Sequence, residues 1–172
     1  DLFLSVCSEY VLVKNYEGAH SEALYTASEE AYPLLPDLRD TGDYVSLEYY
    51  QVHWEGSLFA SETLCYIFDY SGEEYLLQKE ALEQNYLFQS APIVEYDGFL
   101  EPMVEIDGYT FRFLSREDYE KDLYYPKEVM LIAYSDQAQE IVYMLYEDSD
   151  QDYIGNAEHF IKHSCGWIYM NR

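Results

Sequence analysis

Asp148, Asp150 and Asp152 stand at alternate positions beyond an apolar run, the spacing of the first three oxygen ligands of an EF-hand calcium loop. Such a loop requires glycine at its sixth position and a bidentate glutamate at its twelfth, where this chain has Tyr153 and His159. The triplet therefore supports a looser calcium site, built from the three carboxylates and the carbonyl of Ile154, or an acidic loop that simply leaves a strand. Further on, His159 and His163 lie four residues apart on an expected helix, so both imidazoles can approach one zinc ion. Zinc needs further ligands brought from elsewhere, and Glu158 precedes His159, which is not the HExxH order of zinc proteases. The alternation of Phe160 and Ile161 with His159, Lys162 and His163 equally describes an amphipathic helix whose polar face is wet.

Nucleophilic chemistry finds less support. Cys165 follows His163 closely, and whether the two form a nucleophile and base depends on their approach in space. Cys7, Cys65 and Cys165 allow one internal disulfide with one thiol left over, and they form no CxxC pair. No serine is framed by glycines as G-x-S-x-G, and no glycine loop can cradle a phosphate. A carboxylate pair for glycoside hydrolysis is defined by a distance that sequence does not contain.

The composition is more decisive. Thirty-four acidic residues against nine basic ones give a net charge of -25, yet 49% of residues are hydrophobic and 18% aromatic, with 21 tyrosines. Acidic chains poor in apolar residues stay disordered, whereas this one holds the material for a packed core and must carry its charge on a folded surface. Nine scattered lysines and arginines provide no patch to neutralise phosphates, so nucleic acid is not an expected partner. The same field attracts cations and basic proteins, and it also serves simply to keep a domain in solution. Tyr49, Tyr50, Tyr66, Tyr70, Tyr124, Tyr125, Tyr143 and Tyr146 can form a flat ligand platform or, through β propensity, fill a sheet core.

The elements that must position these groups follow from periodicity. Leu2, Val6, Tyr10 and Val13 recur at helical spacing, and Ala19, Ala23, Ala27 and Ala31 at every fourth residue, predicting two helices before Pro33 and Pro36. From Tyr44 the period becomes two, and a long hairpin is expected through Tyr70, its second strand apolar on both faces and hence central. Ser71 with Glu74 reads as a capping box opening a helix to about Asn85, with Leu76, Leu77 and Leu82 as its apolar stripe. Asp97-Gly98 and Asp107-Gly108 each have the chemistry of a two-residue hairpin turn, and Pro102 places the strand between them at an edge or bulge. Val129 to Tyr134 and Ile141 to Tyr146 form a last strand pair, followed by a short helix around Asn156 to His163.

The expected class is α+β: a mainly antiparallel sheet built of hairpins, with one or two N-terminal helices and a helix inserted after the second strand. Residues 1–36 are expected as a helical segment packed on the sheet, and 37–172 as a single α+β domain. No apolar run reaches the length of a membrane span. Asp1 in place of methionine suggests a removed leader, although Val6 before Cys7 does not match a lipoprotein cleavage box.

The run Glu62 to Phe88, an aromatic strand ending in Asp69-Tyr70-Ser71 and followed by a charged helix, resembles uncharacterised acidic domains of exported bacterial proteins, as does Tyr125-Pro126 through Tyr146. The resemblance covers about a third of the chain, carries no catalytic motif and implies an extracytoplasmic or envelope location, with the cytoplasm as the alternative. The functional expectation is a non-catalytic binding or accessory domain whose acidic, tyrosine-rich surface meets a protein partner of basic character or a cation. An intracellular inhibitor of the immunity or polyanion-mimic kind is the alternative, and a hydrolase with unidentified carboxylates is the third.

Overall fold

The computed structural model describes residues 10–32, 35–55, 60–95, 98–115, 128–148 and 155–170. Strand β1 (Tyr10–Glu17) leads through Gly18 into helix α1 (Ala19–Ala31), and a single 3₁₀ turn (Leu38–Asp40) precedes the long pair β2 (Tyr44–Glu55) and β3 (Ala60–Tyr70). Helix α2 (Gly72–Asn85) follows, then four short strands: β4 (Ile93–Glu95), β5 (Gly98–Leu100), β6 (Met103–Ile106) and β7 (Tyr109–Phe113). The pair β8 (Glu128–Ser135) and β9 (Glu140–Asp148) comes next. A two-residue strand β10 (Gly155–Asn156), the short α3 (Ala157–His159), a π-helical turn (Phe160–Ser164) and a 3₁₀ turn (Trp167–Tyr169) complete it.

Seven strands form one antiparallel sheet in the order β1-β2-β3-β9-β8-β7-β6, while β10, β5 and β4 make a small second sheet. The chain is thus α+β, with hairpins, an N-terminal helix and a helix after the second strand of the long hairpin. β3 is central as its composition requires: it pairs with β2 on one side and β9 on the other, and Thr63 to Phe68 are buried throughout. β6, preceded by Pro102, is an edge strand of the large sheet.

Opposed residues of an antiparallel pair point to the same side, so the register divides the core into two layers. Tyr49, Tyr66, Phe68, Ile132, Ile141 and Tyr143 lie on the side covered by α1 and α2, where Tyr25, Tyr75 and Leu82 seal them. Val52, Cys65, Ile67, Leu131, Val142 and Met144 lie on the other side, beneath Phe160, Ile161, Cys165, Trp167 and Met170. Trp167 stands edge-on to Tyr109 and Phe111, with ring centres 5.0 and 4.9 Å away. Gly166 makes this closure possible: its φ is 75°, and a Cβ there would fall 2.6 Å from Val52 Cγ1.

Several expectations change. Residues 10–13, taken as the end of a helix, belong to β1, because all of β1 pairs with β2 from Tyr10 opposite Glu55 to Glu17 opposite Glu48. Residues 1–9 and Pro33 lie outside the described residues. In α1 the described alanines Ala19, Ala23 and Ala27 face solvent, and the buried side is Ser21 and Tyr25, since one phenol ring removes far more apolar area from water than three methyls. In α2, Leu82 is buried as expected but Leu76 and Leu77 are 64% and 60% exposed, and Tyr75 takes the inward place. Tyr75 wins it because its ring is fully enclosed while its hydroxyl reaches out to Asp136 Oδ1 at 2.6 Å. Ser71 occupies the N-cap position, though its side chain makes no capping bond.

Of the two Asp-Gly turns, Asp107-Gly108 forms as expected: φ is 53° and 83°, and Ile106 opposes Tyr109. In the other, Gly98 already opens β5 opposite Glu95, and Asp97 lies outside the described residues.

Candidate functional site

The unusual chemistry sits on the helix-covered side of the large sheet, just beyond the end of α1. There the register aligns Leu12 of β1, His53 of β2, Glu62 of β3, Glu147 of β9 and Glu128 of β8 in one continuous row. Three carboxylates thus occupy neighbouring strands side by side, with an imidazole next to them. Like charges placed directly opposite each other in an antiparallel pair destabilise it, by about 0.2–1 kcal/mol per pair. Departures from local rules concentrate at functional sites.

Uncharged donors meet these acids. Tyr32, which follows α1, donates its hydroxyl to Glu147 Oε1 at 2.8 Å, and the Gln51 amide donates to Glu62 Oε1 at 2.5 Å. Lys14 Nζ in turn donates to Gln51 Oε1 at 3.4 Å. Burial and the bond to Glu147, with the charges of Glu147, Glu62 and Glu128 behind them, push the Tyr32 phenol well above its ordinary range. One phenol thus senses all three carboxylates. Glu62, Glu128, Glu147 and His53, with Asp148 at the rim, line an open trough of about 410 Å³, and a smaller hollow of about 220 Å³ continues it past His53 to Leu12 and Lys14.

One step deeper on the same strands the chemistry reverses. Tyr16, Tyr49, Tyr66 and Tyr143 form the parallel row four residues away along β1, β2, β3 and β9. Tyr16 stacks on Tyr49 at 5.8 Å and Tyr49 on Tyr66 at 5.0 Å, while Tyr25 of α1 stands edge-on to Tyr66 at 4.9 Å. The Tyr66 hydroxyl shares a short hydrogen bond with Ser28, and burial raises its pKa to about 12. Burial likewise pushes Tyr143 far above its usual value. Tyr143 also floors a cleft of about 580 Å³ between α2 and the residues before the 3₁₀ turn, rimmed by Pro36, Asp40, Gln78 and Asn85.

The sites named from sequence fare differently. Asp148 ends β9, where its Oδ2 accepts the Tyr146 hydroxyl at 2.8 Å; Asp150, Asp152 and Ile154 lie outside the described residues, and the calcium expectation with them. His159 and His163 are brought together, both exposed, with ring centres 4.6 Å apart. Cys65 and Cys165 are free thiols buried in one core layer, and Cys7 lies outside the described residues. Burial, with the neighbouring Cys65, pushes the Cys165 thiol well up, the reverse of what a cysteine nucleophile beside an exposed His163 requires. Tyr49, Tyr50, Tyr66, Tyr70, Tyr143 and Tyr146 are all buried, so these tyrosines fill the sheet core instead of presenting a platform; Tyr124 and Tyr125 lie outside the described residues.

Sequence reasoning missed the carboxylate row. Alternation put His53 on one side of its strand, but no sequence signal told which residues of β3, β9 and β8 would stand beside it. Among the described residues no three His, Cys, Asp or Glu side chains converge closely enough to hold a metal ion, so the row is a spread-out surface. Among them, too, no helix is long and apolar enough to cross a membrane. Comparison of the chain with protein-family models, with curated proteins and with solved structures finds no match.

Proposed function

We propose that this chain is a non-catalytic binding domain that works outside the cytoplasm and takes lysine and arginine side chains of a protein partner along its carboxylate row. The observation that carries this is the registered alignment of Glu62, Glu147 and Glu128 on adjacent strands at an open trough. Adjacent strands run about 4.8 Å apart, so the acids make a ladder of separate acceptors, suited to several basic side chains in succession more than to a single ion. The net charge of -25 adds a long-range field that draws basic partners and speeds their encounter. The extracytoplasmic setting is inferred from the sequence resemblance, and the tyrosine-rich character belongs to the core beneath the surface.

The test compares two triple variants titrated with a lysine-rich peptide at low and moderate salt. Glu62→Gln, Glu128→Gln and Glu147→Gln together remove the row; Glu73→Gln, Glu80→Gln and Glu105→Gln remove as much charge from exposed positions elsewhere. The row variant is expected to bind at least about tenfold more weakly than the control, with a shallower salt dependence. Equal losses in the two variants would mean that only net charge is being read, and would reject the row as a site.

A further inference from the structure

Apart from the carboxylate row, the structure holds a second cluster of titratable side chains with a defined geometry. His159 closes α3, and His163 lies in the π-helical turn that follows, in which the amide of Cys165 donates to the carbonyl of Phe160 at 2.9 Å, an i to i+5 bond. Such wide turns are rare, appear as single insertions in helices and recur at functional sites. Here the turn keeps Phe160 and Ile161 in the core while both imidazoles face solvent, ring against ring at 4.6 Å. Around them the backbone is firmly held. The Asn156 side chain caps the amide of His159 at 2.8 Å, and the segment's lysine, Lys162, is engaged by Glu158 at 2.9 Å.

We propose that His159 and His163 form a two-imidazole binding site for a late first-row divalent metal ion such as nickel or zinc. An imidazole nitrogen binds such an ion at about 2.0–2.1 Å, which puts the metal roughly 3.2 Å from each ring centre; centres 4.6 Å apart then subtend roughly 90° at the ion. That is the angle between neighbouring ligands of an octahedral ion, and close to that of a distorted tetrahedral one. The rings are tilted by 35°, so each must turn about its terminal torsion to aim a nitrogen at the shared point, a broad and soft rotation for an exposed histidine. Imidazole selects nickel, copper and zinc over the hard ions calcium and magnesium, which prefer oxygen. The remaining coordination positions are open to water or to a ligand from a partner. The acidic surface raises the local concentration of any cation but supplies no preference for a nitrogen-seeking one.

Of the four histidines of the chain, His20 on α1 supplies the control, since His53 lies in the carboxylate row. In a titration of the whole chain with nickel, followed by the proton resonances of the imidazoles, His159 and His163 are expected to broaden first and together, and calcium to leave them unmoved. His159→Gln and His163→Gln should each lower nickel affinity about tenfold or more, as one of two chelating nitrogens is lost. Both side chains are exposed, so circular dichroism of the variants should match the parent. Broadening of all four histidines alike, or variants that bind nickel as the parent does, would show dispersed carboxylate binding and overturn the site. His159 and His163 lie outside the carboxylate row, so failure of their selective response leaves the proposed function standing, and the converse.

Discussion

Two rows of side chains on the same strands and the same side of one sheet have opposite fates. Tyr16, Tyr49, Tyr66 and Tyr143 lie on the side covered by α1 and α2, the first three stacked, Tyr16 half-buried and the others buried; Leu12, His53, Glu62 and Glu147, four residues along each strand, lie beyond the end of α1 and open to water. The strands supply the same pleat and spacing to both, so the difference comes from the cover. Under the helix, desolvation favours rings whose hydroxyls find partners such as Ser28, and charge is excluded. Beyond it, water screens the carboxylates enough for three to stand together at a modest cost.

The contrast can be broken most strongly from the buried side. Tyr66→Ala removes a fully enclosed ring between Tyr25 and Tyr49, and denaturant unfolding should show a loss of about 3–5 kcal/mol. Alkali should loosen the same side of the core. The phenols of Tyr66 and Tyr86 are raised to about 12 by burial, so the native state holds its protons to higher pH than the unfolded chain, whose tyrosines titrate near 10. The stability they contribute is complete below pH 10 and is lost as pH climbs toward 12. Urea midpoints should fall steadily across that window, and tyrosinate absorbance should rise together with unfolding.

At the open row the effects shrink and one changes sign. Tyr32→Phe removes the hydroxyl that Glu147 accepts and should cost about 0.5–1.5 kcal/mol in the same unfolding measurement. Glu62→Gln keeps an acceptor for Gln51 and relieves repulsion from Glu147, so it should stabilise the fold by about 0.2–1 kcal/mol, a gain that fades as salt is added. A destabilised Glu62→Gln would mean that the row is held by attractive partners, and the comparison between the two rows would fail.

Much of the framework was legible in the residues. Asp107-Gly108 carried chemistry that suits its turn, and the apolar stretch around Leu64 to Phe68 required cover on both sides, which the two core layers provide. Where sequence reasoning slipped, a distant partner had decided. Val11 and Val13 suit a helix or a strand, and pairing with β2 settled the matter. Leu76 and Leu77 have the spacing of an inward stripe, yet Tyr75 packs better because it fills the core and keeps a polar tip at Asp136. The histidine pair and its wet face were visible in the spacing, but the π-helical turn beneath it was not.

By itself the sequence determined the α+β class, the hairpins, the central strand and the sign of the surface charge, because these follow from local periodicity, turn chemistry and composition. Only the tertiary structure decided that Glu62, Glu147 and Glu128 would share a row, since β3 and β9 are far apart in the chain and one residue of slip would turn every side chain of a strand to the opposite side. It also decided where α1 stops, and with that which row is covered and which stays open to water.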